Sequence, residues 1–251
     1  MTVTAVDEIA PTTRTEARVL ARTEYERLAD QLRSLTAQDW RRPTDCPGWD
    51  VRAVAGHCVG MLSDFSSYRS MIRRVRAAEK AAARDGGPMV DSMTALQVSE
   101  YAPLSVEQLI DRVDEHGPKA ARWRTRVPFP LRAMPMKEEV GGRPETWRLG
   151  FLLDTILTRD PWMHRVDIAR ATGHDLVLTA DHDGRIVAGV VAEWARRHGR
   201  PFELELTGPA GGRFVAGAGD RERLHLDAVE FCRILSERAP GSGLLAQPVP
   251  F

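Results

Sequence analysis

The chain has 251 residues, and its 35 lysines and arginines are balanced by 35 aspartates and glutamates, for a formal net charge of zero. That length suits one large domain or two modest ones around a sizeable core, and the charge balance leaves no electrostatic footprint for nucleic acid or an anionic membrane. The three cysteines, Cys46, Cys58 and Cys232, lack paired spacing, which argues against a disulfide framework and for a reducing, cytoplasmic setting.

Residues 1–12 read as a loose tail, with no basic segment followed by an apolar run of the kind a signal peptide needs. Nowhere is an apolar stretch long enough to span a bilayer. From Thr13 to about Leu35 the spacing of Tyr25, Leu28, Leu32 and Leu35 predicts a helix. A loop rich in proline and tryptophan follows, from Asp39 to Trp49, and Asp50 is placed to cap the next helix. That helix is expected to run from Val51 to roughly Arg84 on a stripe of Val54, Cys58, Met61, Leu62, Phe65, Ile72 and Val75, with His57 on its margin. Residues 85–104 read as an irregular connection. Ser105 and Gln108 form a capping box that opens a third helix, which Gly117-Pro118 is expected to kink or interrupt. A second long connection, Pro128 to Pro144, leads to a fourth helix from about Thr146 to Thr172, ended by Gly173.

Four helices with long middle connections predict a four-helix bundle, a fold that places metal sites between facing helices. After Gly173 the texture changes. Leu176-Val177-Leu178 reads as a short strand, Asp181 to His198 as a helix, Phe202 to Leu206 as a half-buried strand, Gly211 to Gly217 as a turn and its partner strand, and Leu226 to Arg238 as a closing helix. The expected division is therefore 1–173 for the bundle and 174–251 for a small α/β domain, an α+β chain as a whole.

The chemistry concentrates in the fourth helix. Asp160 and His164 are four residues apart and Asp167 follows three later, so all three fall near one line, which upstream carries Leu153, Ile156 and Leu157. Ionisable groups on a core-facing stripe are costly unless paired or bound to a metal. A carboxylate and an imidazole at this spacing make half of a metal site, and His57 supplies a third ligand from the second helix, leaving one coordination position open. The alternative for His57 alone is a half-buried histidine satisfied by a backbone carbonyl. Ligand type alone admits zinc or non-haem iron. Arg165 or Arg52 could hold a substrate carboxylate, and a solvated helix face is the favoured alternative for each. No Gly-x-Ser-x-Gly elbow, Walker loop or dinucleotide fingerprint is present.

The run from Trp40 through Cys46-Pro47-Gly48-Trp49-Asp50-Val51-Arg52 to His57 resembles the entry motif of the mycothiol-dependent maleylpyruvate isomerase family, within the DinB-like superfamily. Arg159-Asp160 through His164-Arg165-Val166-Asp167-Ile168-Ala169 to Gly173 resembles its second motif. The resemblance implies a DinB-like metal-binding four-helix bundle with a smaller C-terminal α/β domain. It implies Zn2+ on His57, Asp160 and His164, with Asp167 behind them, and mycothiol as the low-molecular-weight thiol partner of a small-molecule substrate. The family pattern carries glutamate where this chain has Asp160, which is one methylene shorter. The implied chemistry is that of a thiol transferase or isomerase in which a metal-bound thiolate adds to an electrophilic carbon. Outside the thiol reading, the same ligands suit a hydrolase or cyclase with metal-bound water, or a non-catalytic sensor.

Overall fold

The computed structural model describes residues 3–251. The chain divides into two compact units. One comprises residues 13–138 and 145–175; the other takes the residues before Thr13, residues 139–144 and residues 176–251.

The first unit is the expected helical bundle. Its helices are α1 (Arg14–Ser34), α2 (Val51–Asp64), α3 (Tyr68–Asp85), α4 (Met89–Tyr101), α5 (Val106–Arg126), two short turns α6 (Phe129–Arg132) and α7 (Leu149–Phe151), and α8 (Leu157–Thr172). α1, α2, α5 and α8 form the four-helix core, and α3 and α4 pack against each other, with α4 lying along α2. The core is built from the apolar stripes, with Leu28, Leu32, Val54, Cys58, Leu62, Leu109, Val113, Leu153 and Ile168 all buried. Helix ends follow local chemistry. Thr13 and Ser105 close capping boxes with Glu16 and Gln108, and Gly173 ends α8 in the left-handed region at φ +74°.

Four expectations are corrected here. The second helix breaks at Phe65–Ser67, where Ser67 caps a new helix, so the predicted span is two elements. Residues 85–104 are not irregular, because they hold α4. The third helix continues through Pro118 without interruption. The predicted 128–144 loop instead contains α6 and strand β2 (Pro135–Val140), which pairs with β3 (Arg143–Arg148).

In the second unit, β1 (Val3–Ala5), β4 (Phe202–Thr207), β5 (Gly212–Ala216) and β6 (Glu222–Asp227) form a sheet in the order β1-β5-β4-β6. The start of the segment expected to be a loose tail, Met1 and Thr2, lies outside the described residues; Val3–Ala5 is a strand, parallel to β5. β4 runs antiparallel to β5 and parallel to β6. Helices α9 (Arg185–His198) and α10 (Ala228–Leu235) bury Val190, Trp194, Phe231 and Leu235 with Phe202, Leu204 and Leu206. Leu176–Leu178 does not form the expected strand. No helix among the described residues is long and apolar enough to cross a membrane.

Candidate metal centre

The first ligand is set by a short closed loop. The amide and hydroxyl of Thr44 both donate to the Trp49 carbonyl, at 3.0 and 2.9 Å, and the Trp49 amide donates to the Cys46 carbonyl at 3.0 Å. Pro47 and Gly48 are the central residues of that turn. Gly48 sits at φ +80°, the conformation a type II turn demands of its third residue. Asp50 then accepts from the Ala53 amide at 2.8 Å and starts α2, which carries His57 about two turns later. The loop also presents Trp49 to both histidines, with ring centroids 5.2 Å from His57 and 6.1 Å from His164.

The other two ligands come from α8, which follows a π-helical turn, Leu152–Ile156. Such turns recur at functional sites because they re-aim side chains. Pro161 lacks the N–H that would pair with the carbonyl four residues back, that of Leu157. Tyr25 from α1 donates to that carbonyl at 2.7 Å and Arg124 from α5 at 3.0 Å, while Arg124 also holds the Thr158 hydroxyl at 2.8 Å. The turn beside Asp160 is thus braced from two sides.

At the centre, His57 Nε2 lies 3.4 Å from Oδ1 and 3.3 Å from Oδ2 of Asp160, and His164 Nε2 lies 3.5 Å from Oδ1. Both histidines are buried. Their Nδ1 atoms are engaged elsewhere: His57 donates to the Gln97 amide oxygen at 2.8 Å, and His164 to the Asp167 carboxylate at 3.0 Å. Each neutral ring therefore turns a lone pair towards a carboxylate, so three acceptors face one another. Oδ2 of Asp160 is buried and accepts no hydrogen bond. Only protons or a cation relieve this, and burial cannot tolerate it unrelieved. In the metal-free protein the strain appears as a proton affinity. Burial opposes charge on His164, yet Asp160, Asp167 and Cys46 outweigh it and raise its pKa well above the usual value. Burial would likewise raise the carboxyl of Asp160, but the two imidazoles overcome it and hold the group below the ordinary range. Two imidazole nitrogens, each on a ring held from behind by a hydrogen-bond partner, and a carboxylate lie within 4.8 Å of one another and fit a divalent ion.

His57, Asp160 and His164 are thus brought together, with Asp167 behind His164. The two arginines are engaged elsewhere. Arg165 is buried and pairs through one terminal nitrogen with both oxygens of Glu24, at 3.1 and 3.0 Å. Arg52 reaches the carbonyls of Ala102 and Leu104, bracing the end of α4. Both side chains, expected as holders of a substrate carboxylate, serve the fold in this structure. Two residues around the ligands were missed. Cys46 Sγ lies 3.3 Å from the Asp167 carboxylate and 3.8 Å from His164 Nδ1. Gln97 lies in a stretch where no periodic signal marks a helix. Cys58, next to His57 in sequence, is core; burial pushes its thiol up to about 12 and leaves it inert.

Comparison with known proteins agrees with this frame. Residues 21–169 match the family described as the mycothiol maleylpyruvate isomerase N-terminal domain. An uncharacterized protein of Mycobacterium tuberculosis, found in strains H37Rv and CDC 1551, is 25% identical over 234 residues, which is 86% of this chain and 83% of that protein. The crystal structure of the mycothiol-dependent maleylpyruvate isomerase superposes with a TM-score of 0.53 at 16% identity, covering 95% of this chain and 93% of that one. The structure of a histidine-to-alanine mutant of that enzyme superposes with a TM-score of 0.52 over the same shares. The match takes in α2 and most of α8, with the three converging side chains of His57, Asp160 and His164, and the chain therefore belongs to the mycothiol maleylpyruvate isomerase N-terminal domain family.

Proposed function

We propose that this protein is a thiol-dependent enzyme that uses mycothiol and a zinc ion held by His57, Asp160 and His164 to act on an electrophilic small molecule, by cis–trans isomerisation or by S-transfer. The observation that carries the reading is the convergence of two imidazole lone pairs on the half-buried carboxylate of Asp160, whose Oδ2 is buried and has no hydrogen-bond donor. When bound, the ion would supply the Lewis acidity that lowers the pKa of a thiol, so that the thiol releases its proton to solvent and reacts as the thiolate.

The chain's own residues do the rest. Asp167 and Gln97 hold the two rings in the tautomer that turns Nε2 inward. Trp49 lies against both imidazoles and limits water at that face. A thiolate added to one carbon of a cis double bond conjugated to a carbonyl leaves a single bond. Rotation of the resulting enolate and expulsion of the thiolate then give the trans product, whereas protonation of the enolate carbon from solvent keeps the adduct and completes a transfer. The test is turnover of maleylpyruvate and of a panel of electrophiles, with and without mycothiol, in zinc-loaded and chelator-stripped protein. Turnover that needs both additions supports the proposal. Thiol-independent hydrolysis of esters or amides contradicts it.

A further inference from the structure

Gln97 is 2% exposed, although it is a primary amide on a helix with almost no apolar face. α2 makes room for it. A Cβ on Gly60 would stand 2.6 Å from both Cβ and Cγ of Gln97, so only glycine lets α4 bring this side chain in. Its orientation is forced. Asp64 Oδ2 accepts from Gln97 Nε2 at 2.8 Å and from Arg74 Nε at 2.8 Å, and Arg74 also holds Glu100 at 2.5 Å. A carboxylate here only accepts, so the NH2 end of Gln97 faces Asp64 and its carbonyl faces His57. His57 must then carry its proton on Nδ1.

The two histidines are consequently held by acceptors of different charge. His164 donates to a buried carboxylate, Asp167, which makes its ring the stronger donor to a metal. His57 donates to a neutral amide, with the carboxylate of Asp64 one residue further out and paired to Arg74. We propose that Gln97 is a tuning and positioning residue: it fixes the His57 tautomer while keeping that ligand weak, so that the centre stays electron-poor enough to draw an anionic fourth ligand such as a thiolate. Only the last step rests on the thiol-dependent reading above.

Two variants test this in the full chain loaded with cobalt. Gln97→Leu removes the acceptor. The exchange Asp64→Asn with Gln97→Glu keeps the net charge and the number of hydrogen bonds, and moves the anion directly onto His57. Cobalt affinity is read by chelator competition, ligand field by the visible d–d bands, and the fourth position by titration with mycothiol. Gln97→Leu is expected to lose about 10- to 100-fold in cobalt affinity. The exchange is expected to bind cobalt about tenfold more tightly than the native protein, shift the d–d bands and bind mycothiol about tenfold more weakly, on the same scale of second-sphere effects. Native affinity and spectrum in the exchange variant would overturn the proposal. So would losses equal to those of Gln97→Leu, which would make Gln97 a packing residue only. If the native cobalt protein takes up no thiol, the thiol reading fails while the affinity and spectral arms still decide the tuning role.

Discussion

The hydroxyl of Tyr25 donates to the carbonyl of Leu157 at 2.7 Å, a carbonyl that is free because Pro161 has no amide proton to offer it. The bond ties α1 to the turn of α8 that carries Asp160, so a tyrosine outside the ligand set helps decide where the carboxylate stands. Tyr25→Phe keeps the packing and leaves Arg124 as the carbonyl's remaining donor. It should cost about 1 kcal/mol of stability and weaken metal binding at the same time. Urea denaturation with and without zinc checks both; a stability loss with native metal affinity would separate Tyr25 from the centre.

Gly60→Ala tests the close approach of α2 and α4. Alanine is the better helix former, so an unhindered site would gain stability. Here the added methyl meets the root of the Gln97 side chain rather than a flexible tip. Overpacking of about 1–3 kcal/mol should win, and metal affinity should fall as Gln97 is displaced. A higher thermal midpoint with native metal content would show that α4 yields freely.

Asp50→Ala removes the cap of the helix that bears His57. The expected loss is about 0.5–2 kcal/mol, measured as a shift in the denaturation midpoint. No shift would remove the capping role and leave the ligand assignment standing.

Acid and base should act differently on the metal-free and metal-loaded protein. In the metal-free protein, burial disfavours the His164 cation, but Asp160, Asp167 and Cys46 raise its pKa above the unfolded value of 6.5. Its stabilising effect is complete below pH 6.5 and is lost as the pH rises through the folded value. Asp160, whose folded pKa lies below 3.8 despite its burial, contributes above pH 3.8 and is lost only on strong acidification. Metal-free protein should therefore lose thermal stability from about pH 6.5 upward, whereas zinc affinity should rise over the same range as protons cease to compete. Thermal midpoints from pH 6 to 9, with zinc or with a chelator, check this; parallel curves would contradict it.

The bundle was legible because its signals are local. Capping residues Asp50 and Ser105, and apolar spacing in α1, α2, α5 and α8, each require only neighbouring residues. The stripe that joins Leu153 and Leu157 to Asp160 and His164 was equally visible. What escaped depends on distant partners. Arg165 reads as a free cation beside a ligand until Glu24, 141 residues away, is found against it. Gln97 reads as a loop residue because the buried face of α4 consists of little beyond Gln97 and Tyr101, which gives no apolar period. β1 has only three residues, and nothing near it in sequence announces its partner, β5. β6 does alternate, but its end was absorbed into the helix that follows.

The most direct measurement is the absorption spectrum of the cobalt-substituted protein titrated with mycothiol, beside His57→Ala and His164→Ala. The native protein should hold about one ion per chain, the number of ions that a single three-ligand site binds, and develop a thiolate-to-cobalt band as mycothiol is added. Both variants should lose the ion and the band. Full metal occupancy in both alanine variants, or a native cobalt protein that shows no such band at saturating thiol, would contradict the assignment of a thiol-activating centre to His57, Asp160 and His164.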